Sequence, residues 1–154
     1  MEFGSVIWAG AAKTHLIRLE RIQHKFLMWL AVNSCRPCAS LEYDRLLTHF
    51  GVLRIDQRLV QTDLNYLHNV FSGRVDSADI LAMFRLSVPS RRTRLQQLLY
   101  VPTARVETIK NGMFGRLPRL VNMLCVAYPS TDLFGRKSAY KKQVASFVRS
   151  VNLY

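Results

Sequence analysis

The sequence predicts a mainly α-helical fold, a helical bundle with a basic, partly irregular C-terminal half. Apolar residues recur every three or four positions through most of residues 14–84, which is the period of an amphipathic helix. Hydrophobic residues make up 49% and charged residues 21% of the 154 residues, as in a folded chain. This length favours a single domain that buries a core of its own.

The first predicted helix extends from about Thr14 to Val32. The Thr14 hydroxyl can accept a hydrogen bond from an unpaired amide of the first turn, which makes it the predicted N-cap. One apolar stripe is expected to be buried, and it consists of Leu16, Leu19, Ile22, Phe26 and Leu30. A second stripe carries three cations that are expected to face water rather than phosphates, namely Arg18, Arg21 and Lys25.

Two helices are predicted to follow the loop around Pro37. Ser40 is expected to cap a helix over Leu41–Phe50, and Gly51 is expected to end it in the left-handed conformation. The next helix covers about Asp56–Phe71 and ends before Gly73. Its expected inward residues are Leu59, Val60, Leu64, Leu67, Val70 and Phe71.

The helical pattern ends near residue 84. Ser77 is expected to cap a short helix over Ala78–Phe84. Pro89 argues against a helix across residues 87–94, which are expected to be extended. A short strand is predicted at Leu98–Val101.

Two further helices are predicted in the C-terminal half. A turn is expected at Asn111-Gly112. One helix covers Pro118–Ala127, since proline is tolerated in a first turn. The last helix covers about Ser138–Val151, and its apolar side consists of Val144, Phe147, Val148 and Val151.

Positive charge is concentrated in the second half of the chain. Residues 1–84 carry nine Lys/Arg and eight Asp/Glu, a net charge of +1, whereas residues 85–154 carry thirteen and two, a net charge of +11. We therefore predict a helical scaffold over 1–84 and a basic C-terminal segment over 85–154. Such a field attracts polyanions, and nucleic-acid backbones are the favoured class. An acidic protein partner and an anionic membrane would also respond to it.

Two basic clusters are the candidate nucleic-acid-binding sites. Ser90–Arg94 places three guanidinium groups on a non-helical segment, where each can pair with a phosphate through its planar fork. The second cluster lies in Gly135–Lys142 beside Phe134 and Tyr140, whose rings either stack on unpaired bases or belong to the core. The predicted binding residues are Arg91, Arg92, Arg94, Arg136, Lys137, Lys141 and Lys142. Both clusters also have the composition of nuclear import signals.

Metals, cofactors, membrane spans and secretion are not predicted. Cys35 and Cys38 form a C-x-x-C pair, but zinc usually needs a second pair of ligands, and no second C-x-x-C or H-x-x-x-H occurs. No apolar run reaches the roughly 18 residues of a membrane span. The short apolar run Val6–Ala12 follows Glu2 rather than a basic residue, which argues against a signal peptide. A nuclear or cytoplasmic protein with free thiols is expected.

Catalysis and a small-molecule substrate are not predicted either. The sequence contains no G-x-S-x-G pattern, no glycine-rich phosphate loop and no Asp-Asp pair. Two-metal phosphoryl transfer needs clustered carboxylates, whereas Asp76 and Asp79 belong to a predicted helix start.

Several short motifs follow one another along the chain. They are Phe3-Gly4-Ser5-Val6-Ile7-Trp8, Leu19-Glu20-Arg21-Ile22-Gln23-His24-Lys25-Phe26, Tyr43-Asp44-Arg45-Leu46-Leu47, Gly51-Val52-Leu53 with Arg58, Asp63-Leu64, Phe71-Ser72-Gly73, Val75-Asp76-Ser77 and Val88–Arg94. Their order and spacing resemble the region that follows the polymerase core in non-LTR retrotransposon reverse transcriptases, with jockey-like elements as the nearest type. Asp44 and Gln57 depart from the Glu and Arg of the family pattern.

The resemblance implies a thumb-adjacent, C-terminal region of an RNA-directed DNA polymerase, which grips template–primer or target DNA. The catalytic aspartates of such enzymes are expected to precede this region. The chain is therefore predicted to bind RNA or DNA backbone without polymerase activity of its own. Two alternatives remain, a helical module that binds an acidic protein partner and a truncated transposon copy without function.

Overall fold

A computed structural model describes residues 4–10, 13–34, 42–88 and 97–150 of the protein. Within these ranges the chain is mainly α-helical, as predicted, and forms no β-strand. The helices are α1 (Ser5–Trp8), α2 (Lys13–Ser34), α3 (Tyr43–Phe50), α4 (Ile55–Phe71), α5 (Ala78–Met83), α6 (Glu107–Asn111), α7 (Met113–Ala127) and α8 (Lys137–Ser150).

The chain forms two compact units. The smaller unit is Ala11–Arg58, and the larger unit combines Met1–Gly10 with Leu59–Tyr154. The predicted boundary after residue 84 rests on charge and stays a prediction.

In the smaller unit, α2 packs against α3. The buried residues of α2 are Leu16, Gln23, Leu27 and Ala31. Leu16 is buried as predicted, but Ile22 is 50% exposed and Phe26 is 57% exposed, so the prediction for these two was wrong. Apolar periodicity ignores polar residues, whereas the buried side of α2 includes the polar Gln23.

In the larger unit, α7 packs against both α6 and α8. Most of the predicted inward residues of α4 are buried, and Phe71 is half-buried. The predicted apolar side of α8 is confirmed at Val144, Phe147 and Val148, while Val151 lies outside the described residues.

The predicted helix ends are confirmed in part. Gly51 (φ 63°) and Gly73 (φ 66°) follow α3 and α4 in the left-handed conformation, as predicted. Ser77 is the N-cap residue of α5, but its hydroxyl makes no capping hydrogen bond. α2 begins one residue before Thr14, which is therefore helical and not the N-cap. Ser40 lies outside the described residues.

α7 begins five residues earlier than predicted. The turn at Asn111-Gly112 is confirmed as the junction of α6 and α7, and the helix then continues through Pro118 instead of beginning there. The prediction placed Pro118 in the first turn, where proline is tolerated, whereas Pro118 is the sixth residue of α7. In the structure, Gly115 allows α6 to approach α7, since a Cβ at this position would overlap the Lys110 carbonyl. The short helices α1 and α6 were not predicted.

Candidate nucleic-acid interface

Glu20 links α2 to the start of α4 in the smaller unit. Its Oε1 accepts a hydrogen bond from the Tyr43 hydroxyl at 2.6 Å, and its Oε2 accepts one from the Ile55 amide at 2.9 Å. Ile55 is the first residue of α4, so its amide has no partner within that helix, and the carboxylate lies at the positive end of the helix dipole. Burial, and secondly the Glu20 carboxylate, raise the pKa of Tyr43 well above its usual range.

Gln23 is the polar residue in the middle of the buried side of α2. Its Nε2 donates to the Tyr43 hydroxyl at 3.1 Å and to the Leu53 carbonyl at 3.0 Å, and its Oε1 accepts from the Arg58 guanidinium at 3.1 Å. These bonds compensate the burial of the amide. Glu20, Gln23, Tyr43 and Arg58 all come from the motifs quoted above, and the fold joins them in one polar network.

Arg116 connects α1, α4 and α7 in the larger unit. Its Nε lies 2.7 Å and its Nη2 3.3 Å from the Asp63 carboxylate, and Nη2 also donates to the Val6 carbonyl at 2.8 Å. The Asp63 side chain is 1% exposed and that of Arg116 is 12% exposed, so water screens the pair weakly. Burial raises the pKa of Asp63 to about 6, although the guanidinium acts in the opposite direction. Arg116 therefore supports the fold.

Asn122 holds the chain that follows the arginine cluster. Its Oδ1 accepts hydrogen bonds from the Leu98 and Leu99 amides, both at 3.0 Å, and its Nδ2 donates to the Leu99 carbonyl at 2.8 Å. Asn122 and Leu99 are buried, so the two bonds between them replace water that these groups have lost, and the bond to Leu98 is partly buried.

The described residues on the two sides of the arginine cluster pair with each other. Leu86 and Leu99 form an isolated antiparallel bridge, and this bridge is what the structure shows of the strand predicted at Leu98–Val101. Residues 89–96 lie outside the described part of the chain, and they include Arg91, Arg92 and Arg94. The arginine cluster therefore connects two segments that the fold holds together.

Tyr140 belongs to the core of the larger unit. Its hydroxyl donates to the Leu64 carbonyl at 3.1 Å, and its ring stacks on that of His68 with 4.4 Å between the centroids. Of the two predicted roles for this ring, the core role is therefore the one observed. Phe134 is exposed, and its ring meets the Phe71 ring edge-on with centroids 5.7 Å apart.

His68 is buried near the start of α8. Its Nε2 lies 3.3 Å from the Gly135 carbonyl oxygen, which places the hydrogen of the neutral ring on Nε2, and its Nδ1 has no hydrogen-bond partner in the described structure. Burial lowers the pKa of His68, the bond to Gly135 opposes this, and the charges of Arg74 and Lys137 lower it further. Arg74 follows α4 and Lys137 begins α8, so cations from two parts of the chain act on one ring, while the Asp132 carboxylate acts in the opposite direction.

The second basic cluster lies at the start of α8. Arg136, Lys141 and Lys142 are exposed and Lys137 is half-exposed. These four side chains make no ion pair or hydrogen bond within the described ranges. Lys137 and Lys141 are one turn apart, whereas Lys142 and Arg149 lie opposite the buried side of the helix. α8 contains no acidic residue.

Some cations of the C-terminal half are already committed within the fold. Arg119 donates to the backbone carbonyls of Gly115 and Lys110. Lys110 forms an exposed ion pair with Glu107 at 3.1 Å. Together with the largely buried Arg116, these residues reduce the positive charge that remains available for a partner.

The sequence prediction missed an aromatic surface on α2. Phe26 and Trp29 are 57% and 62% exposed, and their ring centroids are 6.3 Å apart at an interplanar angle of 27°. The spacing of Ile22, Phe26 and Trp29 beside basic residues was visible in the sequence. Placing Phe26 in the core concealed it.

A pocket of about 390 Å³ opens in the larger unit, lined by α1, one side of α4 and Met113. Its lining contains no Lys, Arg, Asp or Glu, so no charged side chain is present to bind a phosphate there.

In the described ranges, no group of side chains is arranged to hold a metal ion, and no helix has the length and apolar character of a bilayer span. Cys35 and Cys38 lie outside those ranges.

Comparisons of the chain with protein-family models, with curated proteins and with solved structures gave no match.

Proposed function

We propose that the chain binds the phosphate backbone of RNA or DNA through its C-terminal half, and that it is related to the region following the polymerase core of non-LTR reverse transcriptases. The main support for this proposal is the group of exposed basic side chains at the start of α8. Burial of the apolar side fixes this helix, while Arg136, Lys137, Lys141 and Lys142 have no partner in the described structure. Arg91, Arg92 and Arg94 add three further charges.

The helix dipole supports an anionic partner at this place. The amino-terminal end of a helix carries partial positive charge, so acidic residues are favourable there and cations are unfavourable. α8 has no acid in its first turn and begins with Lys137 instead. A bound phosphate would offset both the dipole and the lysine charge.

The acidic motif residues fit a chain without polymerase activity of its own. The acidic residues Glu20 and Asp63 are engaged with Tyr43, Ile55 and Arg116, so neither is free to hold a catalytic metal. We expect no primer extension when the purified chain receives a primed RNA template, deoxynucleotides and Mg²⁺. Extension by this chain alone would overturn the non-catalytic part of the proposal.

Salt dependence tests the backbone contact. The full chain is titrated with labelled 20-nucleotide RNA and DNA between 50 and 200 mM KCl. Each phosphate contact contributes about 0.7–0.9 to the slope of log affinity against log salt. Replacing Arg91, Arg92 and Arg94 by Gln is expected to make this negative slope shallower by about 2–3. Lys142→Gln is expected to make it shallower by somewhat less than 1.

Arg45→Gln is the matched control for Lys142→Gln. It removes one charge from the exposed surface of α3, outside the basic half, and is expected to leave the slope unchanged. Equal effects of the two variants would contradict a site on α8. Binding to polyglutamate tests the alternative function, a helical module for an acidic protein partner. Such a module would bind polyglutamate in preference to the oligonucleotides.

A further inference from the structure

We propose that the exposed face of α2 is a stacking surface for unpaired bases of single-stranded nucleic acid. We call this the aromatic face, and it consists of Ile22, Phe26, Trp29 and Val32. It lies in the smaller unit and includes none of the cations assigned to backbone binding. The inference rests on the proposed function only in taking nucleic acid as the partner.

The aromatic face is held on a fixed support. Leu16, Gln23, Leu27 and Ala31 bury the opposite side of the helix, and the network around Gln23 fixes its rotation. Phe26 and Trp29 are three residues apart and lie side by side on the solvent side, with nearly parallel rings. The two rings therefore present a surface on which a base can stack without rearrangement of the helix.

Basic side chains lie on the same side of α2 as the two rings, and acidic side chains do not. Arg18, Arg21 and Lys25 are exposed on the same side of α2 and have no partner in the described parts of the chain. Glu20 is the one acidic residue of α2, and it points to Tyr43 and Ile55 on the buried side. Rings beside positive charge match a strand that carries flat bases on a phosphate backbone.

The same charges disfavour a second copy of the chain as the occupant. Two aromatic faces in contact would bring two sets of Arg18, Arg21 and Lys25 together without an acid between them. A duplex fits less well than a single strand, because its bases already stack on one another and reach the rings only after unstacking. The geometry therefore selects single-stranded RNA or DNA.

Leucine substitutions separate stacking from general apolar contact. The variant Phe26→Leu/Trp29→Leu keeps the charge and the apolar character but removes both rings. We expect its affinity for a 20-nucleotide oligo(dT) to fall at least about fivefold, since stacking contributes on the order of 1–3 kcal/mol per base. Affinity for a duplex of equal length and the salt slope are expected to stay unchanged. Phe26→Tyr/Trp29→Phe keeps two rings and is expected to keep the affinity.

Three results would overturn the proposal. Oligo(dT) affinity that survives the leucine substitutions, while Lys142→Gln still lowers the salt slope, would refute stacking and leave the backbone site intact. Absence of binding to any nucleic acid would remove both proposals. A shift in tryptophan emission with vesicles of phosphatidylserine and phosphatidylcholine, lost in Trp29→Phe and absent with oligo(dT), would assign the aromatic face to a membrane surface.

Discussion

The Arg116 guanidinium and the Asp63 carboxylate meet at 2.7 Å in the interior of the larger unit. Fifty-three positions separate them in the chain, and the arginine also reaches the Val6 carbonyl on α1. A residue that contributes to the basic character of the C-terminal half is thus part of the core. The pair provides a direct test of how the larger unit is held together.

Breaking the pair on one side is expected to be costly. Asp63→Leu leaves a buried guanidinium without its carboxylate, and we expect the free energy of unfolding to fall by about 3–5 kcal/mol. Asp63→Leu/Arg116→Met is expected to lose less than the sum of the two single changes. Urea unfolding gives the free energy of unfolding of Asp63→Leu, of Arg116→Met and of the double variant. Lys110→Gln, which removes an exposed ion pair, serves as the control and should leave stability unchanged, and additive single effects would contradict the coupling.

Tyr43→Phe tests the network of the smaller unit. The change removes the donor to Glu20 and the acceptor for Gln23, so two partly buried groups lose a partner. We expect a loss of about 1–3 kcal/mol in the free energy of unfolding. Tyr100→Phe removes an exposed hydroxyl and is expected to change stability by less than about 0.5 kcal/mol. A loss at Tyr43 no larger than that at Tyr100 would show that the network adds no stability.

Asn122→Ala links the fold to the arginine cluster. It removes three hydrogen bonds and leaves the buried Leu99 amide unpaired, so we expect a loss of about 2–4 kcal/mol. Affinity for RNA or DNA is expected to fall severalfold at 50 mM KCl, because the chain beside the arginines loses its anchor. Met123→Ala, at an exposed position of the same helix, should change neither quantity. Unchanged affinity in a folded Asn122→Ala protein would contradict this link.

His68 predicts a loss of stability in mild acid. Its pKa is lowered in the folded chain, so the unfolded chain binds the proton more tightly. The stability that neutral His68 gives the folded chain is therefore fully present above pH 6.5, the ordinary pKa of a histidine ring. This stability is lost as the pH falls below that value. One proton limits the slope to about 1.4 kcal/mol per pH unit.

His68→Gln isolates this effect, since glutamine retains a donor for the Gly135 carbonyl and does not titrate. The original chain must be compared with this variant because the titration of Asp63 changes stability with pH in the opposite direction to that of His68. Its raised pKa stabilises the folded chain below pH 3.8, and that stability is lost as the pH rises through about 6. Thermal unfolding from pH 5 to pH 8 is expected to show a smaller acid loss in His68→Gln than in the original chain. Identical profiles would refute the assignment.

Apolar spacing predicted which apolar residues of α4 and α8 are buried, with Phe71 half-buried. A continuous stripe of Leu, Val and Phe has only one side that can leave water, and the polar Asp63 and His68 are buried beside it in α4. The charge of the C-terminal half and the placement of Arg136, Lys137, Lys141 and Lys142 outside the core were equally visible in the sequence.

On α2, apolar spacing predicted the wrong buried side. The core side of α2 includes Gln23, which is stable there only because Tyr43, Leu53 and Arg58 satisfy its amide. Two of these partners lie thirty or more positions along the chain, so no local pattern reveals them. Consequently Phe26, expected in the core, lies in water beside Trp29.

The sequence by itself determined a helical, strongly basic chain and the positions of most of its helices, since these follow from local propensity, periodicity and charge. Only the tertiary structure decided which side of α2 is buried and which arginines are committed to the core. These outcomes depend on hydrogen bonds between distant residues, whose cost or benefit exists only once the chain has removed them from water.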